Sequence, residues 1–192
     1  MLSEERGKIL KSKEKSPNLA IEVIKLVVTA VVLAVLIRHF VFNTTMVIGQ
    51  SMEPTLHQNE RMICLVFPNY FSDPERGDIV IIDAPDGSGK EYVKRVIGTP
   101  GDQVAIRSGE VYVNGVRIEE DYIHPGVETG TYQGDEWTLG PDEFFVMGDN
   151  RNEGMSIDSR YFGPVEKKHI RSRAALRYYP FSKFTVFHGQ ND

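Results

Sequence analysis

The chain has 192 residues and a formal net charge of −5. This length allows one domain with an attached segment, and the acidic balance argues against the basic surface that nucleic-acid binding requires. Cys64 is the only cysteine, so an intrachain disulfide is excluded. No Cys/His cluster has the spacing of a zinc site. We therefore expect no metal, no organic cofactor and no nucleic-acid partner.

The first predicted element is an apolar helix over residues 19–37, interrupted only by Glu22, Lys25 and Thr29. A helix of this length spans about 28 Å, which matches the hydrocarbon thickness of a bilayer. The segment before it is basic, with Arg6, Lys8, Lys11, Lys13 and Lys15. By the positive-inside rule the N-terminus is cytoplasmic. We expect a tail over 1–18, a transmembrane helix over 19–38 and an extracytoplasmic domain over 39–192, attached to the plasma membrane.

Two alternatives to a retained anchor are open. A cleaved signal peptide has a shorter apolar core and a cleavage site of small residues, and residues 38–43 offer no such site. A soluble chain with a buried helix is the other alternative.

The remainder of the chain is predicted to be mainly antiparallel β-sheet. Apolar runs separated by turn signals indicate strands at 61–67, 78–82, 91–97, 103–107, 110–113, 144–147 and 174–179. The dipeptides Ser108-Gly109 and Asn114-Gly115 indicate tight hairpins. Residues 102–142 hold short, turn-rich strands between the candidate site motifs, so we expect them to form a small inserted β subdomain of the catalytic domain.

Ser51 and Lys94 are the candidates for nucleophilic catalysis. A serine needs a base to become a nucleophile, and a buried neutral lysine can be that base. Pro54 keeps Glu53 out of helical geometry, so Ser51 is expected on a loop or strand edge. Strand alternation puts Lys94 and Arg95 on opposite faces, and burial would lower the pKa of a lysine toward ~7–8. Taken singly, Ser51 is better explained as an ordinary turn serine and Lys94 as a surface lysine on an edge strand.

A third motif is Gly148-Asp149-Asn150-Arg151 followed by Ser156-Ile157-Asp158-Ser159-Arg160. Asp158 and Arg160 are two residues apart and would share one face of an extended segment, where they could form a bidentate pair. Ser156 is placed to hydrogen-bond a nearby lysine. A polar turn with a surface salt bridge is the alternative.

Together these motifs resemble those of the bacterial type I signal peptidases, which are membrane-anchored serine–lysine endopeptidases that remove signal peptides from exported proteins. The resemblance rests on Ser51-Met52-x-Pro54-Thr55, on Lys94-Arg95-Val96-x-Gly98-x-Pro100-Gly101-Asp102 and on the third motif, in this order behind an N-terminal anchor. The single short anchor and the compact ectodomain are similar to the Gram-positive form.

The resemblance implies a role for each motif residue. Ser51 is the nucleophile, and Lys94 is the general base that takes the Ser51 proton and later activates the deacylating water. Ser156 orients Lys94, while Asp158 and Arg160 form a supporting salt bridge. The backbone N–H of Ser51 contributes to the oxyanion hole.

The resemblance also implies the substrate. Signal peptides of preproteins would bind as an added strand beside residues 46–51 and be cut after small residues, as in Ala-x-Ala. The side chains and backbone expected to contact them belong to Ile48, Gly49, Gln50 and Val93. The other partner is the lipid bilayer, and no oligomer is required for function.

Two features depart from the family pattern. Some members carry a serine two residues before the nucleophile as a second oxyanion donor, but this chain has Gly49 there. The four residues 152–155 also make the spacing before Ser156 two residues longer than expected, and Gly154 could let the longer loop turn.

Three other mechanisms or functions would fit parts of the chain. A histidine-based triad could use His57, six residues after Ser51, although the Gly-x-Ser-x-Gly elbow is absent. A self-cleaving repressor-type peptidase also uses serine and lysine but would carry a DNA-binding module. An anchored β domain that binds peptides without cutting them is a function of a different class.

Overall fold

The computed structural model describes residues 18–40, 42–66 and 72–187 of the chain. The five basic residues at positions 6–15, and nearly all of the predicted 1–18 tail, lie outside the described residues. The chain divides into two compact units, residues 1–36 and 37–192.

The first unit holds most of the helix α1, which covers Leu19–Phe40. Its apolar stretch, Leu19–Ile37, has a mean hydropathy of 2.6, and none of it is buried. By length and composition it can cross a membrane. Glu22 and Lys25 form an exposed ion pair with Nζ and Oε1 3.4 Å apart, as expected for charges one helical turn apart.

The second unit is built from short strands. These are β1 Phe42–Met46, β2 Arg61–Leu65, β3 Ile79–Asp83, β4 Glu91–Gly98, β5 Gln103–Arg107, β6 Glu110–Val113, β7 Val116–Arg117, β8 Glu136–Thr138, β9 Glu143–Met147, β10 Val165–Glu166, β11 Ile170–Tyr179 and β12 Thr185–Val186. A short helix, α2, covers Ser159–Phe162, and single 3₁₀ turns cover Lys167–His169 and Phe181–Lys183.

The strands form two antiparallel sheets, which confirms the predicted fold class. The larger sheet has the order β1-β2-β11-β3-β4-β9-β10, with β12 added beside β11. The smaller has the order β7-β6-β5-β8 and uses only residues between 103 and 138. The late strand β11 therefore lies in the middle of the larger sheet, between two early strands.

Apolar clusters pack on both faces of β3 and β4, in the larger sheet. Along β3, Ile79 and Ile81 pack in one core cluster with the buried Met52 and Leu56. The alternate β3 residues, Val80 and Ile82, belong to a second cluster on the opposite side. Because side chains alternate along a strand, β3 and its neighbour β4 are sandwiched between two apolar layers. Lys94 and Arg95, in the second half of β4, therefore have little access to water.

The smaller sheet follows the hairpin signals of its sequence. Ser108 and Gly109 have φ of 50° and 81°, and Asn114 and Gly115 have φ of 53° and 80°. Two consecutive left-handed residues are what a two-residue type I′ hairpin demands. Its apolar side chains pack against Phe145 of β9 in a third core cluster.

Several short elements were not predicted, among them β1, β8 and α2. Strand β1 reads Phe-Asn-Thr-Thr-Met and is held by pairing with β2, because its own polar composition gives no strand signal. Strand β8 has three residues and exists by pairing with β5. Helix α2 is capped by Asp158, whose side chain accepts a hydrogen bond from the Arg160 backbone N–H.

We expect Phe145→Ala to lower the free energy of unfolding by about 3–5 kcal/mol, as is typical of a large-to-small change in a packed core. Phe145 is fully buried, and its ring contacts Trp137 with centroids 4.6 Å apart. Denaturant unfolding of the detergent-solubilised chain measures the effect. Phe181→Ala is the matched control, since Phe181 is 79% exposed and surface changes cost about 0.5 kcal/mol or less. Equal losses in the two variants would contradict the proposed core.

Candidate active site

Ser51 lies near the start of a tight turn, two residues of which are buried in the core. We call residues 50–56 the Ser51 turn. Its backbone closes through the Leu56 N–H, which donates to the Met52 carbonyl at 2.8 Å. Met52 and Leu56 are almost fully buried and pack under the sheet. The chain enters the turn through Gly49, whose φ of 94° suits only glycine. Ser51 itself remains partly exposed, as the sequence predicted for a reachable hydroxyl.

Lys94 reaches Ser51 across the sheet. Its Nζ lies 3.0 Å from Ser51 Oγ, within hydrogen-bond distance. The two residues are 43 positions apart in the chain; Ser51 lies in the turn after β1, and Lys94 lies in β4. His57, the histidine nearest in sequence, instead has its Nδ1 3.7 Å from Glu60 Oε1. The structure thus brings together the two residues that the sequence singled out and gives Ser51 a lysine partner.

Burial changes the chemistry of Lys94. The side chain is 2% exposed, and loss of hydration disfavours its charged form. This desolvation, opposed by the charge of Asp158, lowers the pKa of Lys94 to about 8. A lysine with that pKa is neutral in roughly a tenth of molecules at pH 7, against far fewer for an ordinary lysine, so it can accept a proton.

Asp158 and Arg160 form a buried, bidentate ion pair. Arg160 Nε and Nη2 donate to the two carboxylate oxygens at 2.9 and 2.8 Å, and both side chains are 0% exposed. Burial would raise the pKa of Asp158, but the bonds from Arg160, the Gly148 N–H and Ser156 hold it below its ordinary value. The predicted Asp158–Arg160 bridge is present in this structure.

Ser156 is hydrogen-bonded to Asp158. Its hydroxyl donates to Asp158 Oδ2 at 2.7 Å, and the contact with a lysine that the sequence indicated stays a prediction. Ser156 is nevertheless close to Ser51. A Cβ placed on Gly148 would lie 2.3 Å from Ser156 Oγ and 2.4 Å from the Ser51 carbonyl oxygen. Because Gly148 has no side chain, the segments that carry Ser51 and Ser156 can lie this close together.

Asn150 fastens the Ser51 turn to the third motif. Its backbone N–H donates to the Ser51 carbonyl at 3.0 Å, and its side-chain amide donates to the Gln50 carbonyl at 3.0 Å. The amide is buried, so the two bonds are shielded from water. The sequence reasoning assigned no role to this residue, and only its place beside Gly148 and Asp149 could have drawn attention to it.

Two further arginines tie the site to the residues before β8. Arg95 makes a bidentate pair with Asp149 at 2.9 and 2.7 Å, and its guanidinium lies 4.0 Å from the centroid of the Tyr122 ring. Arg151 donates to Glu120 and, at 2.8 Å, to Thr129. Strand alternation puts Lys94 and Arg95 on opposite faces of β4, and both are buried because apolar clusters cover both faces there.

A groove of about 570 Å³ runs beside Ser51. It is lined by Thr45, Met46, Val47, Ile48, Ser51, Met52, Ile81, Lys90, Glu91, Tyr92 and Val93. Of the residues predicted to contact substrate, Ile48 and Val93 are in this lining. Gly49 and Gln50 are exposed and are not among the described residues that line it.

The longer loop before Ser156 is exposed and turns at Gly154, which has φ of 72°. This agrees with the glycine role that the sequence indicated. Within residues 18–40, 42–66 and 72–187, no three His, Cys, Asp or Glu side chains are grouped as metal ligands.

Comparison with known proteins decides the family. The profile of the family described as "Signal peptidase, peptidase S26" matches residues 20–179. The chain is 39% identical to signal peptidase I of Bacillus amyloliquefaciens, over 90% of this chain and 95% of that protein. It is 40% identical to signal peptidase I S of Bacillus subtilis strain 168, over 90% and 94%. The chain belongs to the type I signal peptidase family.

A crystal structure of a signal peptidase I from Enterococcus faecalis is 32% identical and covers 53% of this chain and 97% of that one, with a TM-score of 0.44.

Signal peptidases I are serine peptidases that remove signal peptides from secreted preproteins, so the substrates of this enzyme are signal peptides. This membership confirms the predicted family and activity. It also removes the repressor-type peptidase and the non-cleaving binding domain as alternatives. The exposed apolar helix α1 is consistent with a single-pass membrane anchor of such an enzyme.

We expect Gly148→Ala to reduce signal peptide cleavage on the order of 100-fold, because a displacement of about 1 Å at a catalytic group can have that effect. The added methyl would collide with the Ser51 backbone and the Ser156 hydroxyl. Overpacking should also destabilise the fold by about 1–3 kcal/mol.

Cleavage of a preprotein by the detergent-solubilised enzyme measures the effect of Gly148→Ala. The matched control is Gly130→Ala, since a Cβ at Gly130 meets nothing within 4 Å. Parent-like cleavage by the Gly148 variant would show that the close approach is not needed.

Proposed function

We propose that this signal peptidase is a membrane-anchored endopeptidase in which Ser51 is the nucleophile and Lys94 the general base. The observation that carries the proposal is the 3.0 Å separation of Lys94 Nζ and Ser51 Oγ. A nucleophile and base must lie within about 2.6–3.2 Å of each other for proton transfer. The burial that lowers the pKa of Lys94 supports the same assignment.

The reaction follows from these two groups. Neutral Lys94 takes the Ser51 proton as Oγ attacks the scissile carbonyl, giving a tetrahedral intermediate and an ammonium at Lys94. The ammonium then protonates the leaving amine, and the C–N bond breaks to leave an acyl-enzyme. Neutral Lys94 next removes a proton from water, which attacks the ester. Return of that proton to Ser51 Oγ releases the signal peptide and restores the enzyme.

Ser156, Asp158 and Arg160 are proposed to orient Lys94. Asp158 acts on Lys94 by its charge, and Arg160 opposes it. Ser156 donates to Asp158 and retains lone pairs that can accept a bond from Lys94. Its position beside Gly148 and the Ser51 carbonyl supports this role.

The oxyanion of the tetrahedral intermediate is proposed to accept a hydrogen bond from the Ser51 backbone N–H. Donors that face the developing charge are often the largest contribution to catalysis. Gly49 supplies no side-chain donor, and its left-handed φ of 94° would strain a serine at this position. The second donor must come from another backbone group or from water.

The substrate is proposed to add a strand beside residues 46–51, with small residues at the first and third positions before the cut. Main-chain hydrogen bonds would hold it, and shallow pockets would select its side chains. The groove next to Ser51, with Ile48 and Val93 in its lining, supports this placement. Gly49 and Gln50 are proposed to contact the peptide through their backbone.

The enzyme is proposed to lie in the plasma membrane with residues 1–18 in the cytoplasm, 19–38 in the bilayer and 39–192 outside. The basic residues before α1 and the apolar, unburied stretch Leu19–Ile37 support this orientation. Residues 102–142 form the inserted subdomain of this proposal, and their strands make up the smaller sheet.

We expect Ser51→Ala and Lys94→Ala each to abolish cleavage after an Ala-x-Ala site while leaving the enzyme folded. The first removes the nucleophile and the second removes the base. Preprotein cleavage and thermal unfolding are measured on the full chain in detergent. Ser182→Ala and Lys168→Ala are matched controls at exposed positions. If Lys94→Ala keeps near-parent activity at neutral pH, the base is a different group.

We expect kcat/KM to rise with pH and to level off above about pH 8. Protonated Lys94 cannot accept the serine proton, and its pKa is lowered to about 8. The active fraction should therefore fall about tenfold for each pH unit well below that value. A substrate without titratable groups near the cut should be assayed from pH 6 to 10. A flat profile between pH 6 and 8 would be incompatible with Lys94 as the base.

A further inference from the structure

Arg177 of β11 is bonded to the far end of the Ser51 turn. Its Nη1 donates to the Thr55 carbonyl at 2.9 Å and to Glu60 Oε2 at 2.7 Å. The Arg177 and Glu60 side chains are only 11% and 4% exposed. Charge-assisted bonds of this kind are short and strong when they are kept from water. We call Arg177, Glu60 and the Thr55 carbonyl the Arg177 clamp.

Glu60 ties the clamp to the two chain segments on either side of the turn. Its carboxylate accepts from the His57 N–H at 3.2 Å, and its backbone carbonyl accepts from the Val47 N–H at 2.8 Å. Burial would raise the pKa of Glu60, but the bonds from Arg177 and the His57 N–H hold it below its ordinary value. Glu60 is therefore charged at neutral pH, and the clamp is intact there.

The remaining donors of Arg177 bind the C-terminal segment. Nε donates to the Lys183 carbonyl at 2.8 Å, and Nη2 donates to Thr185 Oγ1 at 2.8 Å. All three guanidinium nitrogens therefore donate hydrogen bonds, and together these bonds fix the orientation of the guanidinium plane. A lysine here could pair with Glu60 but could not make the same set of bonds.

The Ser51 turn is thus held at one end by the loop after β9 and at the other by strand β11. Asn150 holds the Ser51 carbonyl, and Arg177 holds the Thr55 carbonyl four residues later. Ser51 Oγ must stay within hydrogen-bond reach of Lys94, which lies on another element, β4. Small rotations of the turn would change that distance directly.

We propose that Arg177 is a positioning residue of this enzyme. Through Thr55 and Glu60 it keeps the Ser51 hydroxyl within hydrogen-bond distance of Lys94. The inference rests on the proposed function, because it assigns the nucleophile to Ser51. Arg177 does not touch the substrate groove, so its effect is on the chemical step and not on substrate binding.

The test compares Arg177→Met and Arg177→Lys with Arg173→Met. Arg173 is the matched control because it lies on the same strand with 15% of its side chain exposed and pairs with Asp78 and Ser72, away from the Ser51 turn. The full chain in detergent is assayed on a fluorogenic peptide with an Ala-x-Ala site, well below each unfolding midpoint. Ser51→Ala is run in parallel.

We expect Arg177→Met to lower kcat about 10- to 100-fold with KM nearly unchanged, the pattern of a lost transition-state geometry. Arg177→Lys should retain the charge opposite Glu60 and fall between the parent and Arg177→Met. Arg173→Met should keep kcat within about threefold of the parent, since it leaves the clamp intact.

A parent-like kcat in Arg177→Met would overturn the positioning role of Arg177. So would a loss of kcat in Arg173→Met equal to that in Arg177→Met. If Arg177→Met does not fold, Arg177→Lys decides: a reduced kcat with unchanged KM supports the proposal, and a parent-like kcat overturns it. Activity that survives in Ser51→Ala would overturn the proposed function itself, and the clamp with it. If Ser51→Ala is inactive but Arg177→Met has a parent-like kcat, the positioning role of Arg177 is overturned and the proposed function is not.

Discussion

A hydrogen bond between the buried amine of Lys94 and the partly exposed hydroxyl of Ser51 is the constraint on which the site depends. Lys94 can serve as a base only if it loses its charge, and burial in the sheet provides that condition. Two carboxylates, Asp158 and Asp149, act in the opposite direction by favouring the ammonium. Each of them is neutralised by its own arginine, Arg160 and Arg95. With the carboxylates paired, desolvation has the larger effect on the amine.

Pairing the acids in this way has an energetic cost. A buried ion pair is seldom more stable than apolar residues of the same volume, although removing one partner costs about 3–5 kcal/mol. What the bidentate pairs supply is geometry, since a guanidinium fork fixes both the distance and the plane of the carboxylate. Asp158 in turn holds the Gly148 N–H and the Ser156 hydroxyl. The charged pairs therefore set the shape of the site more than they stabilise the fold.

Local features were predictable from the sequence. The hairpins of the smaller sheet follow from Ser108-Gly109 and Asn114-Gly115, because left-handed turn residues act over a few positions. The Ser51–Lys94 pairing was also predicted, because motif order and the chemistry of a desolvated lysine both indicate it.

Features that depend on distant pairing were not predictable. Strand β1 has no strand signal of its own, and α2 has only four residues. The contacts of Asn150 with Ser51 and of Arg177 with Thr55 join residues about 100 or more positions apart. No periodicity or spacing in the sequence could align them.

The place of β11 in the larger sheet has a consequence for biosynthesis. This strand pairs with β2 on one side and β3 on the other, so it joins the half that carries Ser51 to the half that carries Lys94. Until residues 170–179 have been made and inserted, the two halves have no shared sheet to bring these residues together. Contacts of such long sequence separation form slowly. A nascent chain would therefore complete the contact between Ser51 and Lys94 only when its last long strand is in place.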